Sequence, residues 1–185
     1  MRVVIIGTSG AGKSTFAAAL AREMECPHVE LDRLYWGPAW VAVPAESFEA
    51  GVRAATTGDR WVADGNYSVI RELLWSRATH IVWLNFGRGT VYSRMFRRTM
   101  QRLLLRTRLS HGNRESFRLT FLSRESILRW TVATFARNRQ TFNALRADPR
   151  HAHLQWTEIT RPSHARDALV TLASRVNGPA RESST

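Results

Sequence analysis

The segment GTSGAGKST, residues 7–15, constrains the fold more than any other part of the chain. It follows an apolar run, residues 3–6, and opens an alanine-rich stretch, residues 13–24, that predicts a helix. The spacing G-x-x-x-x-G-K-S/T is that of a phosphate-binding loop, in which backbone N–H groups and the N-terminus of the following helix surround phosphates. A chance glycine-rich turn is the alternative, but the strand–loop–helix context favours phosphate binding.

The residues of this loop are the predicted nucleotide contacts. Lys13 is the candidate cation for the β- and γ-phosphates, because a compact ammonium fits a tight loop better than a guanidinium does. It is the one lysine among 27 basic residues, which favours a specific role. Ser14 is the candidate Mg²⁺ ligand through its hydroxyl. The predicted nucleotide-binding set of the loop is Gly7, Gly10, Ala11, Gly12, Lys13, Ser14 and Thr15.

Apolar runs alternate with amphipathic stretches, which predicts an α/β fold with a parallel sheet. Strands are predicted at residues 3–6, 28–32, 61–64, 81–85 and 154–159. Helices are predicted at residues 13–24, 46–57, 70–77, 90–105, 124–145 and 163–176. We predict a single domain over residues 1–176, since 185 residues suit one core, and a disordered tail over 177–185.

Two aspartates end predicted strands, where ligands of such sheets bind. Asp64 is a candidate Mg²⁺ ligand acting through water, with a plain Asp-Gly turn as the alternative. Asp32 is a candidate to accept a proton from an acceptor hydroxyl or to bind the acceptor, with capping of the next segment as the alternative. Tyr35, Trp36 and Trp40 either line an acceptor pocket or simply pack.

Positive charge is concentrated in one part of the chain. The formal net charge is +12, and residues 88–150 hold 15 arginines against three acidic residues, which accounts for all of it. This stretch is expected to attract nucleotide phosphates, an acidic substrate or a nucleic-acid backbone. Arg94 and Arg98 share a helix face and are candidates to stabilise a transferring phosphoryl group. Their alternative role is a solvated helix face.

Several classes of protein are disfavoured by composition. No apolar run approaches the roughly 18–20 residues of a membrane helix, so we expect no membrane span. Cys26 is the only cysteine, which excludes an internal disulfide and a cysteine metal cluster, and we expect a cytoplasmic protein. The six histidines show no metal-binding spacing, and no Ser-His-Asp set is recognisable.

Further motifs resemble one family. The segments GTSGAGKST, LDRLYW, WVADGNYS, HIVWLN and RMFRR are similar to those of the adenylate-kinase-like P-loop proteins called topology modulation proteins, over about residues 1–150. The resemblance implies a P-loop NTPase fold whose five parallel strands have the order 2-3-1-4-5 between flanking helices. It implies ATP and Mg²⁺ as cofactors and an arginine-rich helical lid at about residues 99–123. It also implies that Arg124 returns to the nucleotide after the lid.

The chain departs from related patterns at two points. Adenylate kinases have DGFPR where this chain has DGNYS, so the arginine for an acceptor monophosphate is missing and AMP is not the expected acceptor. After the fourth strand, relatives have Asp and Pro-Arg where this chain has Asn85 and Gly87. Asn85 is therefore not a predicted metal ligand.

The leading hypothesis is an ATP-dependent kinase that transfers the γ-phosphate to a small-molecule or nucleotide acceptor of unknown identity. The second hypothesis is an ATP-dependent nucleic-acid-binding protein, motivated by the charge of residues 88–150. Nucleotide hydrolysis without an acceptor is a third, weakened by the lack of an obvious water-positioning glutamine. The sequence predicts no oligomeric state.

Overall fold

A computed structural model of the chain describes residues 1–104 and 127–177. The strands are β1 (Arg2–Gly7), β2 (His28–Glu30), β3 (Trp61–Asp64), β4 (His80–Leu84) and β5 (Gln155–Ile159). The helices of the described residues are α1 (Lys13–Glu23), α2 (Leu31–Tyr35), α3 (Ala45–Ala55), α4 (Arg71–Arg77), α5 (Arg88–Leu104), α6 (Ile127–Ala147) and α7 (Ala165–Asn177). Strands and helices alternate through most of the chain, as the apolar pattern predicts.

The five strands form one parallel sheet in the order β2-β3-β1-β4-β5. This confirms the α/β P-loop NTPase fold and the strand order that the resemblance implies. In the register, Gly7 at the end of β1 pairs with Leu84 of β4, and Ile5 pairs with Asp64 of β3. The central strands therefore end together, and the segments that follow them meet at one edge of the sheet.

Each face of the sheet carries its own apolar core, because alternate residues of a strand point to opposite faces. Val3 and Ile5 of β1 pack with α1, α5 and α7 on one face. Val4 and Ile6 pack on the other face with residues of α3, α4 and α6, among them Phe142. No helix among the described residues is long and apolar enough to cross a membrane.

The second strand is shorter than the sequence predicts. It ends at Glu30, and Asp32 lies in the first turn of α2 instead of at a strand end. β2 is an edge strand whose partner is β3, and their pairing stops at Glu30 and Asp64. Residues beyond Glu30 have no strand to pair with, so the chain turns into a helix that buries Leu31.

Some predicted features lie partly or wholly outside the described residues. Helix α5 reaches Leu104, so the start of the predicted lid at 99–123 is helical, and the rest of the lid is not described. Arg124 and residues 178–185 of the predicted tail also lie outside them. The limits of the domain at residues 1–176 remain a prediction.

Gly7 offers a direct test of the close contact between β1 and β4. Its φ is +148°, and a Cβ added there would lie 2.7 Å from the backbone oxygen of Leu84. Because a backbone atom cannot move away cheaply, we expect Gly7→Ala to lower the free energy of unfolding by about 1–3 kcal/mol in urea denaturation.

The matched control is Gly51→Ala in α3. A Cβ at Gly51 would make only an ordinary contact, 3.7 Å from Cδ2 of Leu34. Since alanine favours a helix interior over glycine, this variant should gain up to about 1 kcal/mol. Equal effects of the two substitutions would contradict the predicted packing of Gly7.

Candidate active site

The predicted phosphate-binding loop connects the end of β1 to the start of α1. Lys13 is the first residue of α1, and its Nζ donates to the backbone oxygens of Gly7 at 2.9 Å and Thr8 at 3.4 Å. The ammonium thus lies over the beginning of the loop. Helix α5 closes the loop from one side, because a Cβ added to Gly10 would lie 3.0 Å from Cβ of Met95.

Asn66 fixes the end of β1, a role that the sequence analysis missed. Its Nδ2 donates to the backbone oxygen of Gly7 at 2.6 Å, and its Oδ1 accepts from the backbone N–H of Gly7 at 3.3 Å. One side-chain amide therefore pairs with both backbone groups of the first loop residue. The position of Asn66 two residues after Asp64, at the end of a neighbouring strand, is the sequence signal that could have indicated this contact.

Asp64 joins three elements next to the predicted phosphate-binding loop. Its Oδ2 accepts a hydrogen bond from the hydroxyl of Ser14 at 2.6 Å, and its Oδ1 lies 2.9 Å from Nε2 of His28. The carboxylate is only 5% exposed, so these two donors satisfy a charge that would otherwise be costly to bury. The two predicted metal ligands, Ser14 and Asp64, are thus brought into direct contact.

His28 is a functional candidate that the sequence analysis did not select. In the strand register, His28 of β2 pairs with Val62 of β3. Val62 and Asp64 are two residues apart and share one face of the sheet, so His28 and Asp64 lie on the same face. This shared face, together with the strand order, is the sequence signal that could have indicated His28. The contact between Nε2 of His28 and Oδ1 of Asp64 makes His28 a partner of that carboxylate.

Asp32, in the first turn of α2, interacts with Tyr67. The Tyr67 hydroxyl donates to Oδ1 of Asp32 at 2.7 Å. Burial raises the pKa of Tyr67 strongly, and the negative charge and hydrogen bond of Asp32 raise it further. Tyr67 therefore stays protonated and keeps donating to Asp32 at neutral pH.

The rings of Tyr35, Trp36 and Trp40 pack against one another and against neighbouring aromatic residues. The ring of Tyr35 lies 4.8 Å from that of Trp36, 5.1 Å from Phe48 and 4.6 Å from Tyr67, measured between centroids. Trp40 packs edge-on against Trp36 and remains 39% exposed. Tyr35 therefore packs between neighbouring rings, whereas Trp40 presents part of its ring to solvent.

Arg94 contacts the phosphate-binding loop directly. Its Nη1 donates to the backbone oxygen of Ala11 at 3.2 Å, and its guanidinium lies 5.0 Å from the ring centroid of Phe86. The contact holds a positive charge beside the loop. Arg98 belongs to the same helix, but its side chain, like the whole of Arg124, lies outside the described residues.

Asn85 contacts the neighbouring strand β5. Its Nδ2 donates to Oε1 of Glu158 at 2.6 Å, and its backbone N–H donates to the oxygen of Ile159 at 2.9 Å. Arg146 contacts the other carboxylate oxygen of Glu158 at 3.2 Å. Asn85 therefore ties the end of β4 to β5. That it is no metal ligand stays a prediction.

A narrow cleft opens beside Asn66 and Tyr67, on the face of the sheet opposite α1. Its polar lining consists of Asn66, Tyr67 and Arg71. The remaining lining is Ile6, Leu31, Gly65, Ile70, Leu74, Trp75 and Phe142. The free volume of this cleft is about 10 Å³, which is room for roughly one water molecule.

Comparison with known proteins supports the fold. No family model and no curated protein matches the sequence. Among solved structures, a gluconokinase from Sinorhizobium meliloti is 18% identical, with a TM-score of 0.51 over 95% of this chain and 93% of that one. An uncharacterized protein from Eubacterium ventriosum is 12% identical, with a TM-score of 0.53 over 97% and 99%. A sugar kinase from Janibacter is 16% identical, with a TM-score of 0.47 over 94% and 90%.

The contact between His28 and Asp64 can be tested by stability. We expect His28→Ala to lower the free energy of unfolding by about 1–3 kcal/mol, because it removes a donor from a buried carboxylate. His164→Ala is the control, since that side chain is exposed, and its effect should stay within about 0.5 kcal/mol. Urea denaturation of both variants measures the difference, and equal stabilities would refute the role of His28.

Proposed function

We propose that this protein is a kinase that uses ATP and Mg²⁺ to phosphorylate a hydroxyl group of a small molecule. One observation carries the proposal. Two consecutive residues connect the two sides of the site: Asn66 bonds to Gly7 of the phosphate-binding loop, and Tyr67 bonds to Asp32. A donor phosphate on the loop and an acceptor beside Asp32 would therefore be held next to each other, as phosphoryl transfer requires.

Ser14 and Asp64 are suited to Mg²⁺. Mg²⁺ prefers oxygen ligands and retains several waters, and this pair offers a hydroxyl and a carboxylate in contact with each other. When bound, the ion would neutralise charge on the β- and γ-phosphates. His28 holds the second oxygen of Asp64 and so fixes the direction of the carboxylate.

Lys13 and Arg94 supply the protein's positive charge at the loop. Lys13 contacts the carbonyl oxygens of Gly7 and Thr8, and we infer that its ammonium moves to the phosphate oxygens when ATP binds. Arg94 lies beside Ala11 and would stabilise charge that develops on the transferring group. Arg98 and Arg124 remain proposed partners in this role.

Asp32 is the proposed base. It accepts the proton of the acceptor hydroxyl at Oδ2 while Tyr67 holds Oδ1. The acceptor oxygen forms a bond to the γ-phosphorus as the bond between that phosphorus and the β–γ bridging oxygen breaks, which releases ADP. Because positioning and charge supply the catalysis, the protein needs no covalent intermediate.

Binding of a nucleic-acid backbone is the second candidate function. It is supported by the excess of arginine in residues 88–150, and it predicts affinity that falls with salt with a slope of about −0.9 per duplex phosphate neutralised. An arginine-rich lid over ATP would account for part of the same charge. The kinase has the additional support of the contacts around Asp32 and Asp64.

Removal of the Lys13 ammonium tests the nucleotide site. We expect Lys13→Ala to weaken ATP binding about 30-fold or more, because the phosphates lose their nearest side-chain cation. Arg22→Ala removes one positive charge from the far end of the same helix, where the side chain is 79% exposed, and should bind ATP like the wild type. Calorimetry with excess Mg²⁺ measures both. Tight binding by Lys13→Ala would overturn the assignment of the loop.

Removal of the Asp32 charge tests the transfer step. We expect Asp32→Asn to lower acceptor-dependent ADP formation by about 10²–10⁴-fold while ATP affinity stays within about twofold, because only the base is lost. Asp167→Asn, an exposed aspartate in the first turn of α7, is the control. The acceptor panel includes gluconate, which the name of the Sinorhizobium meliloti neighbour suggests. Full turnover by Asp32→Asn would exclude Asp32 as the base.

A further inference from the structure

His28 contacts the carboxylate that the proposed function assigns to Mg²⁺, although it is not a ligand in that assignment. Its Nε2 lies 2.9 Å from Oδ1 of Asp64, and the hydroxyl of Ser14 lies 2.6 Å from Oδ2. An ionised carboxylate only accepts hydrogen bonds, so this contact places a proton of the imidazole on Nε2. The carboxylate is therefore held at both oxygens, by Ser14 on one and by His28 on the other.

The aspartate side chain has little intrinsic preference for the orientation of its carboxylate. The χ2 torsion of aspartate is broad and roughly two-fold, so the group can turn about its Cβ–Cγ bond. Only 6% of the Asp64 side chain and 17% of the His28 side chain are exposed, which leaves water little room to replace the imidazole as a donor. The imidazole of His28 therefore fixes the plane in which the carboxylate of Asp64 lies.

The backbone of β2 is held in place independently of this contact. Residues 28–30 pair with residues 62–64 in parallel register. Beyond the strand, a Cβ added to Gly65 would lie 3.0 Å from Cβ of Leu31, so the start of α2 packs directly on the chain after β3. Removal of the His28 ring should therefore release the carboxylate while the two strands stay paired.

We propose that His28 is a positioning residue that sets the affinity of the candidate site for Mg²⁺ by holding the carboxylate of Asp64. The inference rests on the proposed kinase function, in which Ser14 and Asp64 bind the ion. Partners that hydrogen-bond to a metal ligand fix its direction, and their loss typically weakens metal binding about 10–100-fold. Loss of the His28 imidazole should thus change the effect of Mg²⁺ on ATP binding as well as the stability of the fold.

The experiment measures how much Mg²⁺ tightens the binding of ATP. Calorimetry gives the Kd of ATP in EDTA and in excess Mg²⁺, and the ratio of the first value to the second isolates the contribution of the ion. We expect this Mg²⁺ ratio to fall about tenfold in His28→Leu, while the Kd in EDTA stays within about twofold of the wild type. An unchanged Mg²⁺ ratio in His28→Leu would refute the positioning role.

Two further variants distinguish positioning from packing. His28→Gln carries an amide nitrogen at a similar reach from Cα, so it should restore most of the lost Mg²⁺ ratio. His80→Leu removes another buried strand histidine, at the start of β4, where the ring contacts the hydroxyl of Thr79. It should keep the wild-type Mg²⁺ ratio. An equal loss in His80→Leu, or no recovery in His28→Gln, would indicate a packing effect and overturn the proposal.

The outcomes separate this inference from the kinase function. Wild-type affinity for ATP in EDTA shows that the loop of His28→Leu is folded, so a lower Mg²⁺ ratio in that variant reports on the ion. A clear gain from Mg²⁺ in the wild type that is unaltered in His28→Leu would refute the role of His28 and leave the kinase intact. A wild-type Mg²⁺ ratio near one would refute the Mg²⁺ site and this inference with it, whereas a wild type that binds no ATP would refute the kinase itself.

Discussion

The paired hydrogen bonds between the Asn66 amide and the backbone of Gly7 join the ends of β3 and β1, and the geometry of the candidate site depends on them. Gly7 is both the last residue of β1 and the first of the phosphate-binding loop. Its carbonyl oxygen accepts from Asn66 and from Lys13, which uses the two lone pairs that a carbonyl has. The start of the loop is thus fixed by a neighbouring strand as well as by its own helix.

A second constraint comes from the buried carboxylate of Asp64. Its two oxygens contact donors from β2 and α1, so three elements converge on one charge. Because an unpaired buried carboxylate is costly, the fold favours the arrangement in which Ser14 and His28 both face Asp64. The same contacts that satisfy the charge bring together oxygens of the kind that Mg²⁺ prefers.

The sequence predicts the local parts of this molecule well. The loop, the helix after it and the approximate limits of most strands follow from motif spacing and apolar runs, because these depend on neighbouring residues. The position of Asp32 does not follow from a local pattern, because the end of β2 depends on where β3 ends. His28 and Asn66 were missed for a similar reason, as their partners lie 36 and 59 residues away. The strand order that joins them came from a family resemblance, and no local pattern supplies it.

The two faces of the sheet give the proposed transfer its direction. Asp64 lies on the face that packs against α1, and Ile6 lies on the face of α4 and α6, where the cleft opens. In the proposed transfer the donor would lie at the loop after β1 and the acceptor beside Asp32, so the two would meet at the edge where β1 and β3 end. Residues 65–67 cross that edge, which explains how Asn66 can bond to the loop while Tyr67 bonds to Asp32. Because residues 65–67 contact both the loop and Asp32, they would align donor and acceptor without any contact between the two apolar cores.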